Sequence, residues 1–468
     1  MNILADFLAR AESFGARAAI IEPGGRSIGF AELAARSDRV AAAWRAQGLR
    51  EGMRVILALP LGIELYVGLA ALWRLGAVAV FPEPAMGLKG FRAALAASAP
   101  QAFLAGGWYR ALRFLLPDLW RMPMQLRVRE GDDTAGLADL SPEAPALISF
   151  TSGSTGAPKA ISRSHGFLAA QNAAVAPMLT PERGGEIDLV AFPVFVVANL
   201  ALGVASLLPN WKLTDPRGAD PAAICAYAAR HGAGRALVPP SICEALAGMS
   251  APTPFAQIFT GGGPVYPDLI ARLRAIHPQL RLTVVYGSTE AEPIAQLDAE
   301  EISDADWAAM RAGQGLLAGP PVPCARVKIH DDEIVVTGDH VNKGYLDPSR
   351  DASTKLRIAG EIWHRTGDAG RFDGAGRLWL LGRIDGKAGG LYPFAVECAA
   401  RTWPGVRRAA LIEKGGRAVL ALEGEATHES DWRARAASLG VEVRRLAAIP
   451  LDRRHASKVD YAALRARL

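Results

Sequence analysis

Hydrophobic positions along this chain follow two alternating periods. Helical spacing, with apolar residues recurring every three to four positions, runs from Phe30 to Gln47 and again over Ile63–Leu75. Short unbroken apolar runs follow each of them, Arg54–Leu59 (RVILAL) and Ala77–Phe81, and these read as buried strands. Further runs of the same kind stand at Asp188–Phe192, Ala236–Val238, Gln257–Phe259 and Leu282–Tyr286, each beside a helical segment. The pattern predicts α/β layers on mostly parallel sheets. The first residues, MNILADFLARAESFG, carry acids early and no unbroken apolar core, so they predict an amphipathic helix and not a signal peptide.

Past about Ala312 the texture changes. Glu333–Thr337 (EIVVT) and Leu378–Leu381 (LWLL) predict strands with the turn-rich DGAG of 373–376 between them, hence a smaller β-rich subdomain. The glycine-rich GRIDGKAGG that starts at Gly382 reads as a linker, and the remaining arginine- and alanine-rich residues hold two or three short strands. The expected division is a large domain, 1–382, and a small one, 383–468.

One stretch competes with this reading. Leu189 to Leu208 carries no charge and is long enough to span a bilayer. Pro193, Asn199 and Gly203 interrupt it and Pro209-Asn210 follows, so a buried strand and a buried helix are expected instead.

Composition narrows the function classes. Half of the 468 residues are hydrophobic and 21% are charged, which suits a globular protein with a large core. The net charge of +5 is small and no block of like charges stands out, which argues against nucleic acid as a partner. Cys225, Cys243, Cys324 and Cys398 lie far apart with no CxxC pair. That spacing argues against a disulfide framework and a zinc site, and for a reducing compartment; with the stretch 189–208 interrupted, no stable membrane insertion and a cytoplasmic location are expected.

The chemistry concentrates in a few motifs. TSGSTGAPKA, Thr151 to Ala160, interleaves hydroxyls with Gly153 and Gly156 and ends in a lysine. Thr151, Ser152, Ser154 and Thr155 with the loop's backbone N–H groups can surround a phosphate, and Lys159 adds a positive charge. The loop follows the apolar run ALISF and precedes a helical segment, which disfavours a flexible linker; the Walker pattern is not met. YGSTE, Tyr286 to Glu290, ends a strand and places a hydroxyl and a carboxylate where a hard cation could sit. Taken alone it could equally be an ordinary turn.

These motifs resemble those of the adenylate-forming enzymes: acyl-CoA synthetases, nonribosomal-peptide adenylation domains and luciferases. TSGSTGAPK matches the family's phosphate loop. GGGP, from Gly261 through Gly262 and Gly263 to Pro264, resembles the segment along the adenine. In YGSTE the resemblance implies that Tyr286 stacks near the adenine, with Gly287 and Ser288 beside it. Thr289 would meet the α-phosphate and Glu290 would help hold Mg²⁺. RTGD (Arg365 to Asp368) is similar to the ribose segment, with Asp368 on the hydroxyls, and GR places Arg383 on the nucleotide with Asp385 at the hinge. PLDRRHASKVD near the C-terminus carries Lys458 as the implied catalytic lysine, with Ser457 where relatives have glycine.

The resemblance covers the chain from about residue 25 onward and implies a fold and a reaction. The fold is a large domain of layered α/β subdomains plus a β-rich subdomain, followed by a small mobile α+β lid. The reaction is attack of a carboxylate on the α-phosphorus of ATP with Mg²⁺, giving acyl-AMP and pyrophosphate. Acyl transfer to CoA or to the phosphopantetheine of an acyl carrier protein would follow.

Two details qualify that second step. The family's gate histidine is replaced in Pro193-Val194-Phe195-Val196, and GKAGG is shorter than the stretch that relatives use to pass the pantetheine arm. YGSTEAEP, WHRTGD, LYPFAVE and RHASKVD look like the olefin-pathway β-lactone synthetase branch, where the acyl-AMP of a 3-hydroxy acid is captured by its own hydroxyl. The apolar segment 189–208 is expected to line an acyl pocket through Phe192, Phe195, Val196 and Asn199. A non-catalytic nucleotide- or acyl-binding homologue is the reading from another class, and the intact Glu290, Asp368, Arg383 and Lys458 argue against it.

Overall fold

The computed structural model describes every residue except 84–85, 152–158 and 453–455, and only the backbone of Thr151. Two largely parallel sheets carry most of the chain. One has eight strands, in the spatial order Ala291–Asp298, Arg281–Ser288, Gln257–Gly261, Arg235–Val238, Ile187–Val190, Ala205–Leu207, Ala18–Ile21 and Ser27–Gly29. The other has six, in the order Met124–Leu126, Ala102–Ala105, Arg54–Ala58, Val78–Phe81, Pro145–Thr151 and Lys159–Ser164. Only the end pairs, two in the first sheet and one in the second, are antiparallel.

A helical layer is buried between the sheets. Leu33, Trp44, Tyr66, Leu72 and Val196 share one core with Ile20 and Val190 of the first sheet and Val55 and Leu104 of the second. Helices covered on both sides need apolar residues nearly all round, which explains Ile63–Arg74 and Pro193–Leu202. The uncharged stretch thus resolves into the strand Ile187–Val190, the helix Pro193–Leu202 and the strand Ala205–Leu207. Pro193 starts the helix at a position that needs no N–H, and Gly203 ends it at φ +78°. Among the described residues no helix is long and apolar enough to cross a membrane.

The segment after Ala312 forms an antiparallel sheet, in the order Leu316–Gly319, Leu378–Arg383, Glu361–Phe372, Glu333–Thr337 and Arg326–His330, with Lys355–Ile358 also paired to Glu361–Phe372. The two strands expected here do form. They are not neighbours, however: Glu361–Phe372 lies between them, and DGAG joins that strand to Leu378–Arg383. Its charged and glycine residues hide it from a search for apolar runs.

The last residues build a three-stranded sheet of Val406–Lys414, Arg417–Gly424 and Glu442–Leu446, around a core of Val396, Leu411, Leu420, Leu422 and Trp432. The helix Pro393–Ala400 has two buried faces. Val396 and Ala400 enter this core, while Cys398 packs on Tyr266 and Leu316 of the preceding residues.

Candidate active site

A cleft of about 1090 Å³ opens at the carboxyl ends of Gln257–Gly261 and Arg281–Ser288, walled on the far side by the antiparallel sheet and by residues from the last segment. Carboxyl ends of parallel strands collect ligand sites because the chain leaves them as loops free to carry chemistry. The motifs scattered over 300 positions of sequence meet here.

Tyr286, Asp368 and Arg383 form one connected group. The Tyr286 hydroxyl donates to Asp368 Oδ2 at 2.8 Å, and Arg383 Nη1 donates to Oδ1 at 3.0 Å and to the Thr366 carbonyl at 2.8 Å. Burial, and then the neighbouring Asp368 carboxylate, raise the Tyr286 pKa well above the ordinary phenol value, so it stays protonated. Glu333 holds the turn that presents Asp368: its two oxygens accept from the Gly367 N–H at 2.8 Å and from Arg365 Nε at 2.7 Å. Gly367 sits at φ +73°, and a Cβ there would lie 2.3 Å from Arg383 Nη2. The positive φ favours glycine, and a Cβ would push the Arg383 guanidinium aside.

The opposite end is cationic. Glu290 accepts at Oε1 from the Tyr345 hydroxyl at 2.8 Å. The ammonium groups of Lys159 and Lys355 lie 5.6 and 5.2 Å from the Tyr345 ring centroid, within cation–π range. Arg163, buried, donates to the Thr289 carbonyl at 2.6 Å. Lys355 donates to Asn342 Oδ1 at 2.9 Å, and burial lowers its pKa to about 8. His364, 3.2 Å from that ammonium, is pulled down to about 4 by burial and then by Lys355, so its ring is neutral near pH 7.

The glycines permit close approach. A Cβ on Gly261 would lie 2.5 Å from the Val285 carbonyl oxygen, and one on Gly287 would lie 2.8 Å from that of Ala291. A Cβ on Gly263 would come 3.1 Å from Ser457, which places the loop carrying Lys458 directly against the GGGP segment. Gly262, Gly263, Pro264, Gly287, Ser288, Thr289 and Lys458 line the same cleft. Asp452 Oδ1 accepts from the Ser457 and Lys458 N–H groups at 3.1 and 2.9 Å, and Asp452 N donates back to the Lys458 carbonyl at 2.8 Å. That turn closes without the family's glycine. Asp385 is exposed on the single turn Ile384–Gly386, 3.8 Å from Arg383 Nε.

Ser152, Gly153, Ser154, Thr155 and Gly156 lie outside the described residues, as does the Thr151 side chain. The strands on either side still correct one expectation. Lys159–Ser164 runs antiparallel to Pro145–Thr151, so the loop spans a hairpin and does not lead into a helix N-terminus. The helix begins only at His165.

The acyl-pocket candidates divide. Phe192 lies 3.7 Å from where a Gly262 Cβ would stand, beside the GGGP loop. Phe195 and Val196 are buried in the core between the sheets. Asn199, fully buried, donates to Asp188 Oδ2 and Ser206 Oγ, each at 3.1 Å, and none of these last three residues lines the described cleft. The physical reason is the layer position of the helix: Asp188 also pairs with the buried Arg235 at 2.7 Å, and Asn199 completes that network. Sequence reasoning missed Glu333, Tyr345 and Arg163, which meet their partners 32 to 126 positions away, and Lys355, whose partners are nearer; none sits in a recognisable motif.

Comparison with known proteins agrees with the geometry. The model of the AMP-binding enzyme family matches residues 7–346. An olefin beta-lactone synthetase of Xanthomonas campestris pv. campestris is 31% identical over 453 aligned positions, covering 84% of this chain and 81% of that one. A feruloyl-CoA synthase of Amycolatopsis is 29% identical over 418 positions, covering 84% and 82%. The amide bond synthetase of Marinactinospora thermotolerans shares the fold, with a TM-score of 0.83 at 22% identity over the whole of both chains. Convergence of the aromatic, carboxylate, glycine and lysine motifs on one cleft, in a chain so matched, makes this protein a member of the AMP-binding enzyme family and an adenylate-forming ligase.

Proposed function

We propose that the ligase activates an apolar 3-hydroxy carboxylic acid as its acyl adenylate, and that the substrate's own hydroxyl then displaces AMP to close a β-lactone. The observation that carries the first step is the shared cleft of Tyr286, Asp368, Glu290 and Lys458. A carboxylate oxygen attacks the α-phosphorus of ATP and pyrophosphate leaves. Both reactants are anionic, so neutralisation and alignment supply most of the acceleration. Asp368 and Arg383 hold the ribose end, and Lys159 with the preceding loop holds the leaving phosphates. Lys458 bridges the carboxylate and α-phosphate as charge develops.

Mg²⁺ fits this site. Among the described residues no group of three or more His, Cys, Asp and Glu could hold a metal by itself. A single carboxylate, Glu290, fixed by Tyr345, beside bound phosphates is the donor set that Mg²⁺ commonly uses. Bound there, it supplies neutralisation of phosphate charge.

The second step rests on the relatives. The similarity to an olefin beta-lactone synthetase supports intramolecular capture over a thiol. The hydroxyl oxygen attacks the acyl carbon, AMP departs with the bridging oxygen, and the hydroxyl proton passes to solvent. A second reading, transfer to CoA, is favoured by the similarity to a feruloyl-CoA synthase.

Incubation with ATP, Mg²⁺ and a 3-hydroxy fatty acid, with and without CoA, separates the two. Lactone and AMP are expected without any thiol, and the acid lacking its 3-hydroxyl is expected to stop at enzyme-bound acyl-AMP. Acyl-CoA formed only when CoA is supplied, with no lactone, would overturn the proposal.

A further inference from the structure

The segment Gly107–Arg121 does two things at once. Leu116 and Leu119 enter the core of the six-stranded sheet, with Tyr109 and Leu112 packed against it. Trp108, Phe114, Leu115 and Trp120 point outward and are 68, 68, 58 and 53% exposed. They account for four of the nine large hydrophobic side chains exposed among the described residues, within thirteen positions, where single scattered exposures are the norm.

The exposed groups are arranged as a ledge. Phe114 and Trp120 meet edge to face at 5.6 Å, and the Arg113 guanidinium covers both rings, at 5.1 and 4.5 Å. Arg92, on the neighbouring helix Gly87–Ser98, donates to the Leu115 carbonyl at 3.4 Å. Arg110, Arg113 and Arg121 stand on the segment and Arg92 is bonded to it, with Asp118 as the one carboxylate on the segment, 4.0 Å from Arg121.

Tryptophan and phenylalanine beside arginine is the composition that seats in the headgroup layer of an anionic bilayer, with rings at the acyl boundary and cations on the phosphates. The ledge also lies at the end of the six-stranded sheet at which Pro145–Thr151 finishes. It leaves the carboxyl end of Ala102–Ala105, and the phosphate-loop hairpin leaves the carboxyl end of Pro145–Thr151. Both strands run parallel through Arg54–Ala58 and Val78–Phe81 in one sheet.

We propose that this aromatic and arginine ledge docks the enzyme on the surface of anionic membranes. The rings stand on three single turns of helix, and the surplus of arginines over the one carboxylate of the segment matches an anionic surface.

The test is sedimentation of the full chain with vesicles, read without ATP, so that it is independent of the reaction assigned above. Binding to vesicles of phosphatidylcholine with 30% phosphatidylglycerol is expected to exceed binding to pure phosphatidylcholine by about tenfold or more, and to weaken as salt rises. The variant Trp108→Ser/Phe114→Ser/Trp120→Ser and the separate variant Arg110→Glu/Arg121→Glu should each lose about tenfold in partitioning. Both should keep the circular dichroism spectrum and the ATP–pyrophosphate exchange rate measured with a water-soluble acid. Equal binding by wild type and both variants would overturn the proposal. So would a lack of preference for anionic vesicles, or self-association or carrier-protein binding through the ledge with no vesicle binding.

Discussion

At the scale of single residues, the cleft separates groups that act on charge from groups that hold them in place. Lys458, which lines the cleft, is proposed to be of the first kind. Lys458→Ala should lower ATP–pyrophosphate exchange by about 10²-fold or more, in line with the loss of one preorganised charge from a developing transition state. ATP affinity, measured by calorimetry, should change much less, because the ribose end proposed at Asp368 and Arg383 is left intact. Gly367 belongs to the second kind. Gly367→Ala should displace Arg383 and raise the KM for ATP by about tenfold, while Asp368 itself is untouched. Asn199 tests the corrected reading of the apolar segment. Asn199→Ala leaves Asp188 and Ser206 short of a donor inside the core, so about 1–3 kcal/mol of stability should be lost in a denaturant titration. The range of acids accepted should stay the same; a changed range would restore Asn199 to the acyl pocket.

At the scale of elements, the helix Pro393–Ala400 is the joint between the last segment and the rest of the chain. Glu397, fully buried on it, accepts from the Tyr266 hydroxyl at 2.5 Å and the Leu411 N–H at 2.9 Å. Burial raises its pKa from 4.5 to about 7. A carboxyl with a raised folded-state pKa holds its proton longer folded than unfolded, so its stabilising share is complete below about pH 4.5 and is lost as pH rises to about 7. Melting temperature measured from pH 5 to 8 should therefore fall through this group, and Glu397→Gln should flatten the slope; an unchanged slope would show that Glu397 is not its source.

Elements also show what pattern can and cannot reveal. Short buried strands such as Arg54–Ala58 and Arg235–Val238, and helices such as Phe30–Ala46, were legible because their apolar period is set by a face that must be covered. The strand Glu361–Phe372 was not. It carries the site's Arg365, Gly367 and Asp368, and residues chosen for a ligand break the period of a strand.

At the scale of the whole molecule, the cleft is complete only because the last segment is docked. Arg401, buried, pairs with Asp268 at 2.6 Å and Glu244 at 3.1 Å across that contact, and Arg217 Nη2 donates to the Leu451 carbonyl at 3.1 Å. Arg401→Ala should therefore lower kcat for pyrophosphate exchange more than it raises the KM for ATP, because it loosens the side that carries Lys458 and leaves the nucleotide side intact. Steady-state exchange kinetics would check this. A rise in KM alone would mean that the docking contact contributes nothing to catalysis.

The sequence by itself determined the layered α/β class, the order of the motifs and the types of group brought to the reaction, because covered faces and phosphate chemistry each demand particular residues at particular spacings. Only the tertiary structure decided which of those residues meet. Glu333 under the RTGD turn, Tyr345 on Glu290, and the antiparallel pairing of Pro145–Thr151 with Lys159–Ser164 depend on strand order, and strand order is set by packing between layers that no local period records. The same holds for the apolar segment 189–208: its hydrophobicity was plain, but whether it faced an acid, a bilayer or two sheets was settled by what covers it.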